Sequence, residues 1–210
     1  MQLIGMLDSP YVRRVAISLQ LLKLPFQHKS ISVFRGYAEF AQINPVVKAP
    51  TLICDDGTVL MDSTLILQYA EALAGRALRP NAPHELAQML RVVGLALAAG
   101  EKSVQIVYER AIRPPEMRYQ PWVTRLTGQM QAAFAALEQA LAQAPLAATL
   151  EGINDAGITT ASIWHFAQQS IPELVPAAEY PNLVAHSAQA EALPEFKAAP
   201  HGESVYVGAA

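Results

Sequence analysis

Residues 44–63 constrain the fold of this chain more than any other segment. Pro50 precedes a short apolar run at residues 51–54, and since proline lacks a backbone N–H it suits the start of a strand. Residues 55–57 (Asp-Asp-Gly) have the composition of a hairpin turn, and a second short apolar run ends at Met61. The segment therefore predicts two antiparallel strands that are entered through a proline turn.

An amphipathic helix is expected directly after the hairpin. Leu65, Ile66 and Tyr69 recur at helical spacing, and Ser63 stands where the N-cap of that helix is expected. A helix N-terminus with a hydroxyl beside it favours an anion such as a carboxylate. Asp62, the preceding residue, has the charge to bind an ammonium group.

The charged residues of this segment suit a small zwitterionic peptide. Asp62 and Ser63 can bind its amino-acid head, and Lys48 can bind a second carboxylate. If the bond between Ala49 and Pro50 is cis, the turn leaves the Ala49 N–H and C=O unpaired by the sheet. An extended peptide can then pair with these groups by strand addition.

The first third of the chain alternates strand and helix patterns. This alternation is typical of an α/β sheet domain. The expected strands are 3–6, 26–33, 51–54 and 59–61, and the expected helices are 10–24, 37–43 and 63–74.

Residues 76–83 contain two prolines and break the helical period, so we expect a linker there. It separates a domain at residues 1–75 from a second domain at residues 84–210. Only helical patterns follow the linker, so the second domain is predicted to be all-helical. Its expected helices are 85–112, 117–144, 159–171 and 181–192.

A serine stands at the start of the first predicted helix. Pro10 near the first helical position and Ser9 before it are typical of a helix N-terminus, which stabilises an anion such as a thiolate. In thiol–disulfide enzymes whose α/β sheet domain has the same order of strands and helices, a cysteine stands at this position. Two interpretations of Ser9 stay open: a cap that only stabilises the helix, or a hydroxyl that donates to a sulfur supplied by the ligand.

These features together resemble the glutathione transferase family, and the resemblance covers nearly the whole chain. Its members typically carry Asn-Pro, a basic or amide residue, a small residue, a cis-proline, a strand, a turn and Glu/Asp-Ser. This sequence has each in order, with Asp62 where glutamate is more common. The resemblance implies an α/β thioredoxin-like N-terminal domain and an all-α C-terminal helical domain.

The same resemblance implies glutathione as co-substrate and gives Ser9 the catalytic role of the serine-type members, in which a hydroxyl donates to the glutathione thiolate. The protein would be a transferase, active in detoxification, whose thiolate attacks a small hydrophobic electrophile. It would act as a homodimer. The expected glutathione-binding residues are Ser9, Lys48, Ala49, Pro50, Asp62 and Ser63.

Tyr11 and Tyr108 are the candidates for the electrophile pocket. Other branches of the family use a tyrosine as thiol donor, but Tyr11 lies two residues inside its helix, so its ring is expected to line the pocket. Tyr108 lies late in the first long helix of the second domain. Arg13 is interpreted as a solvated helix charge, with an approach to the site as the alternative.

The third helix of the second domain has a start signal of its own. Thr159 can cap it, and Ile158 and Ile163 are spaced as a hydrophobic staple. Ser162 stands where the family usually has the aspartate that completes a capping box.

Two other functions share the same glutathione contacts. One is a non-catalytic binding or regulatory protein with the glutathione-transferase fold. The other is a glutathione-dependent thiol reductase, against which Ser9 argues because no cysteine is placed to take up a mixed disulfide.

Composition gives expectations about partners, cellular location and metal content. The net charge of −3 gives no electrostatic footprint for nucleic acid, and the longest apolar stretch is too short for a bilayer. The N-terminus lacks the basic region of a signal peptide, and a single cysteine suits a cytoplasmic protein. The five histidines show no ligand spacing, so no metal is expected.

Overall fold

The computed structural model describes residues 1–206. The chain forms two compact units: Met1–Leu78 together with the segment from Glu191 onward, and Arg79–Ala190. Among the helices of this described part, none is both long enough and apolar enough to cross a membrane.

The first unit is built on a four-stranded sheet in the order β2-β1-β3-β4. β1 (Gln2–Ile4) pairs in parallel with β2 (Gln27–Lys29) and antiparallel with β3 (Thr51–Ile53). β3 pairs antiparallel with β4 (Val59–Met61), as the hairpin pattern predicted. β2 and β4 are therefore the edge strands. The predicted strand at residues 26–33 is shorter in the structure.

Three helices precede the second unit: α1 (Pro10–Leu21), α2 (Tyr37–Ile43) and α3 (Ser63–Ala74). α1 packs against β1 and α3, and ten of its twelve residues are buried. It ends three residues before its predicted end because Lys23 adopts a left-handed conformation with a φ of 60°. The bounds of α2, β4 and α3 coincide with the prediction.

The second unit consists of helices. α4 packs against both α5 and α6, and α6 is buried over twelve of its sixteen residues. Trp164 lies 5.4 Å from the rings of both Phe134 and Tyr180, which forms an aromatic centre. The helices are α4 (Pro83–Ala111), α5 (Gln120–Gln143), α6 (Asp155–Ser170) and α7 (Pro181–Glu191).

α6 begins four residues before its predicted start. Asn154 is the N-cap, and its Oδ1 accepts from the Gly157 N–H at 3.1 Å. Thr159 lies inside the helix, where its hydroxyl donates to Asp155 Oδ1 at 3.1 Å. The prediction that Thr159 caps this helix is therefore wrong, because an earlier asparagine supplies a stronger cap.

The chain returns to the first unit after α7. α8 (Pro194–Lys197) packs against α1, and Gln20 Nε2 donates to the Glu195 carbonyl at 2.9 Å. The Tyr206 ring stacks on Phe26 with 4.5 Å between ring centres. The sequence analysis grouped this segment with the helical domain at residues 84–210, whereas in the structure it packs on α1.

This architecture confirms the predicted fold class. A mixed four-stranded sheet with helices forms a thioredoxin-like unit, and an all-helical unit follows it along the chain.

Candidate functional site

The loop before β3 is held by a buried asparagine. Asn44 Nδ2 donates to Thr51 Oγ1 at 2.9 Å, and Asn44 Oδ1 accepts from the Val46 N–H at 3.0 Å. The Thr51 hydroxyl donates in turn to the Lys48 carbonyl at 2.7 Å. These bonds fix the backbone of Lys48 beside the start of β3.

The peptide bond between Ala49 and Pro50 is cis. Within residues 1–206, the Ala49 N–H and C=O take part in no backbone hydrogen bond. Gly5 lies behind Ala49: a Cβ on Gly5 would lie 3.0 Å from the Ala49 Cβ and 2.7 Å from Val12 Cγ2. β1, α1 and the proline turn meet at this point, and they approach so closely that only glycine fits there.

Ser9 is the N-cap of α1. Its Oγ accepts from the Val12 N–H at 3.4 Å, which leaves the hydroxyl hydrogen for an acceptor outside the helix. Val12 is also the residue that contacts Gly5, so the Ser9 turn adjoins the Ala49 turn. Ser9 therefore combines a helix cap with a donor at an anion-stabilising position.

The N-cap of α3 is Asp62 and not Ser63. Asp62 Oδ1 accepts from the Thr64 N–H at 2.9 Å, so the predicted cap is wrong by one residue. The reason is the backbone of Asp62, whose φ of 75° places its carboxylate over the first turn. A non-glycine residue at positive φ costs about 1–3 kcal/mol and is often found at functional sites.

Lys48 and Asp62 lie together. The distance from Lys48 Nζ to Asp62 Oδ2 is 3.5 Å, and the two side chains are 51% and 43% exposed. The sequence analysis assigned them to separate charges of a ligand, and the structure places the two side chains in contact. An exposed pair of this kind contributes about 0–1 kcal/mol, so ligand charges can replace it at low cost.

Ser63, the residue after Asp62, is buried and is held by an arginine. Ser63 is 4% exposed, and its Oγ accepts from Arg14 Nη1 at 3.1 Å, while Arg14 Nη1 also lies 3.2 Å from Thr64 Oγ1. A guanidinium only donates, so the Ser63 hydroxyl hydrogen is left for another acceptor. Arg14 adds positive charge at the N-terminus of α3, which favours a carboxylate.

Sequence reasoning missed Arg14. The available signal was that α1 is apolar on nearly every side, with Arg13 and Arg14 as its only charged residues. A buried helix needs a partner for each buried charge.

Arg13 is not a solvated charge, so that interpretation is wrong. It is 2% exposed, and Nη1 and Nη2 donate to the two carboxylate oxygens of Glu191 at 2.6 Å each.

The two tyrosines lie in different units. Tyr11 is half-buried in the first turn of α1, and Tyr108 is 42% exposed on α4. Their shared pocket stays a prediction. Among residues 1–206, no group of three or more His, Cys, Asp or Glu side chains is arranged to hold a metal ion.

This arrangement defines a thioredoxin-like protein with a second, helical unit. A thioredoxin-like unit carries a cis-proline turn, a capped helix N-terminus with a serine, and a helical unit after it. Residues 3–80 match the family model for the glutathione S-transferase N-terminal domain.

Known relatives agree with that match. The uncharacterized GST-like protein YibF of Escherichia coli K12 is 29% identical over 112 residues, which are 53% of this chain and 55% of that protein. The chain thus spans about half the length of the curated relatives it matches.

Solved structures cover more of the chain. A glutathione transferase family member from Pseudomonas fluorescens Pf-5 with bound glutathione is 28% identical, with a TM-score of 0.80 and coverage of 94% of this chain and 97% of that one. Its structure with bound S-(propanoic acid)-glutathione is 29% identical, with a TM-score of 0.77 and coverage of 95% and 98%. The chain is therefore similar to glutathione transferases in its N-terminal domain and in its fold.

Proposed function

We propose that the protein is a glutathione transferase that binds glutathione on its first unit and activates the thiol with Ser9. One observation carries the proposal: Ser9 caps the buried helix α1, retains its hydroxyl hydrogen, and adjoins Ala49 through Val12 and Gly5. A serine at this place stabilises an anion without supplying sulfur, so the sulfur comes from the ligand.

The γ-glutamyl end of glutathione is assigned to the start of α3. Its ammonium binds Asp62, and its carboxylate binds the Ser63 hydroxyl and the helix N-terminus. Arg14, which donates to the Ser63 hydroxyl, supports this assignment because its charge favours the carboxylate.

The remainder of glutathione extends along the proline turn. The cysteinyl amide groups pair with the N–H and C=O of Ala49, and the glycine carboxylate binds Lys48. The ion pair between Lys48 and Asp62 supports this arrangement, because each of its charges gains a ligand partner when the pair separates. The ammonium and both carboxylates of glutathione thus meet opposite charges, with Arg14 near the γ-glutamyl carboxylate.

The Ser9 hydroxyl donates to the glutathione sulfur. A hydrogen bond to a charged group is worth about 1.5–3 kcal/mol, which corresponds to a thiol pKa lower by about 1–2 units. The thiolate then forms a sulfur–carbon bond with the electrophile, and a leaving group departs with its electron pair or a proton completes an addition. No covalent bond to the protein forms, and the Tyr11 ring is proposed to contact the electrophile.

A homodimer is part of the proposal. Met61 on β4 and Leu65 and Leu73 on α3 are exposed apolar side chains of the first unit, and Leu90 on α4 is one of the second. Exposed apolar side chains that lie together are typical of an interface between subunits, and Met61 and Leu65 stand on elements that contact each other. A cytoplasmic location is proposed as well, since the chain has a single cysteine.

The thiol pKa of bound glutathione tests the function, measured by the ultraviolet absorbance of the thiolate against pH. Ser9→Ala is expected to raise this pKa by about 1–2 units and to lower turnover about 10–100-fold at neutral pH. Tyr11→Phe is the matched control and is expected to change mainly the KM of the electrophile. A pKa that moves in Tyr11→Phe and stays in Ser9→Ala contradicts the assignment.

Turnover with a generic aromatic electrophile separates the enzyme from a binding protein. Glutathione bound as thiolate without turnover would favour the non-catalytic alternative. Ser9→Cys is expected to lose conjugation and to form a mixed disulfide with glutathione, because the site then holds a protein sulfur.

A further inference from the structure

A buried arginine ties the C-terminal segment to the first turn of α1. Arg13 Nε donates to the Ala199 carbonyl at 2.7 Å, and Nη2 donates to the Phe196 carbonyl at 3.3 Å in addition to the Glu191 carboxylate. The guanidinium carbon also lies 5.6 Å from the centre of the Phe196 ring. One side chain thus binds three residues that lie 178 to 186 positions away.

The same residue closes the first turn of α1. The Arg13 N–H donates to the Ser9 carbonyl at 3.0 Å. The cap bond from the Val12 N–H to Ser9 Oγ is 3.4 Å long, beyond the usual 2.7–3.2 Å range, so the cap alone holds the turn weakly. The Arg13 side chain supplies a stronger hold on this turn.

Further along, the C-terminal segment binds the loop after β2. The Ser30 hydroxyl donates to the Glu203 carbonyl at 2.9 Å, and the Glu203 carboxylate pairs with Arg35.

The segment also reaches the residue behind Ala49. The Tyr206 N–H donates to His28 Nδ1 at 2.9 Å, so the proton of neutral His28 lies on Nε2. His28 Nε2 donates it to the Gly5 carbonyl at 2.7 Å. Gly5 contacts both Ala49 and Val12, so the C-terminal segment is connected to both sides of the proposed thiol site.

We propose that residues 191–206, the C-terminal clamp, position Ser9 for thiol activation and that Arg13 is the positioning residue through which they act. This inference rests on the proposed function. Arg13 touches no reacting atom: it fixes the turn that carries the Ser9 hydroxyl. The charged ends of glutathione are assigned to other residues, Lys48 and the start of α3. Loss of the clamp therefore impairs activation more than binding.

The test is Glu191→Gln, which keeps the shape of the side chain and removes the charge that pairs with Arg13. The matched control is Glu173→Gln, which removes an ion pair to Arg110 on the surface of the second unit. Amide hydrogen exchange of the unliganded protein is measured at Val12 and Arg13. We expect exchange there to become about 10-fold faster in Glu191→Gln and to stay unchanged in the control.

Kinetics then separate positioning from a merely structural role. In Glu191→Gln the thiol pKa of bound glutathione is expected to rise and kcat to fall by about 10-fold, because small displacements of a reacting group are costly. The KM for glutathione, measured near pH 6 where the bound thiol is mostly protonated, is expected to stay within about two-fold. If Glu191→Gln does not fold, Arg13→Lys takes its place, since lysine keeps the charge but cannot span both carboxylate oxygens.

Two results would overturn the inference. One is unchanged exchange at Val12 and Arg13, which needs no glutathione and so is independent of the proposed function. The other is an unchanged thiol pKa in a variant whose C-terminal amides exchange faster. A wild-type protein that binds no glutathione would instead refute the proposed function, while the exchange result still decides whether the clamp holds the turn.

Discussion

Asp62 has three separable roles, and two substitutions distinguish them. Its carboxylate caps α3 through the Thr64 N–H, pairs with Lys48, and is proposed to bind the ammonium of glutathione. Asp62→Asn keeps the cap oxygen and tolerates the positive φ, but it loses the charge. Asp62→Ala loses the cap, the charge and the tolerance for this backbone conformation.

The expected magnitudes follow from these contacts. The exposed pair with Lys48 contributes about 0–1 kcal/mol, so Asp62→Asn should leave the free energy of unfolding nearly unchanged. Loss of a hydrogen bond to the ligand ammonium costs about 1.5–3 kcal/mol, which raises the Kd for glutathione about 10–150-fold. Asp62→Ala should lose similar affinity and about 1 kcal/mol of stability besides, from the missing cap.

Calorimetry of glutathione binding and urea unfolding measure the two quantities independently. Glu173→Gln, which removes a surface carboxylate of the second unit, is the control for a general change in charge. The placement of the γ-glutamyl end is refuted if Asp62→Asn binds glutathione as tightly as the wild type does. Equal stability of Asp62→Ala and Asp62→Asn would show instead that the cap contributes nothing.

Two further predictions concern the whole molecule. Burial lowers the pKa of His28, His186 and His201, with Arg13 lowering that of His201 further, so the folded protein favours their neutral forms. The stability that these neutral histidines contribute is complete above their unfolded pKa of about 6.5 and is lost as the pH falls through the lowered pKa values. The urea midpoint of unfolding should therefore be lower at pH 5.5 than at pH 7.5. Equal midpoints at the two pH values would contradict this prediction. Sedimentation should give a dimer, and a mass near 22.7 kDa at micromolar concentration would refute the homodimer.

Local signals predicted much of the fold. A proline before an apolar run, an Asp-Asp-Gly turn and a capped helix each act within a few residues of sequence. The bounds of β4 and α3 and the cap at Ser9 followed from such signals. The cap of α3 was misplaced by one residue, because the positive φ of Asp62 is not encoded in its residue type.

Long-range pairing could not be predicted in the same way. Arg14 binds Ser63, which lies 49 residues away, and Arg13 binds Glu191, which lies 178 residues away. No hydrophobic periodicity in the sequence indicates either pairing. The start of α6 was missed for a local reason, since Asn154 and Thr159 are both acceptable caps and Asn154 is the earlier and stronger one. An arginine pair inside an apolar helix was the one available sign that buried charges need distant partners.

Proton release on binding tests the central claim most directly. Calorimetry of glutathione binding at pH 7.5, in buffers with different ionisation enthalpies, measures how many protons leave per bound ligand. Because the proposed site lowers the thiol pKa by about 1–2 units, about half a proton should be released per glutathione, and none for S-methylglutathione. Equal values for the two ligands, or no binding of glutathione, would contradict a site that holds glutathione as its thiolate.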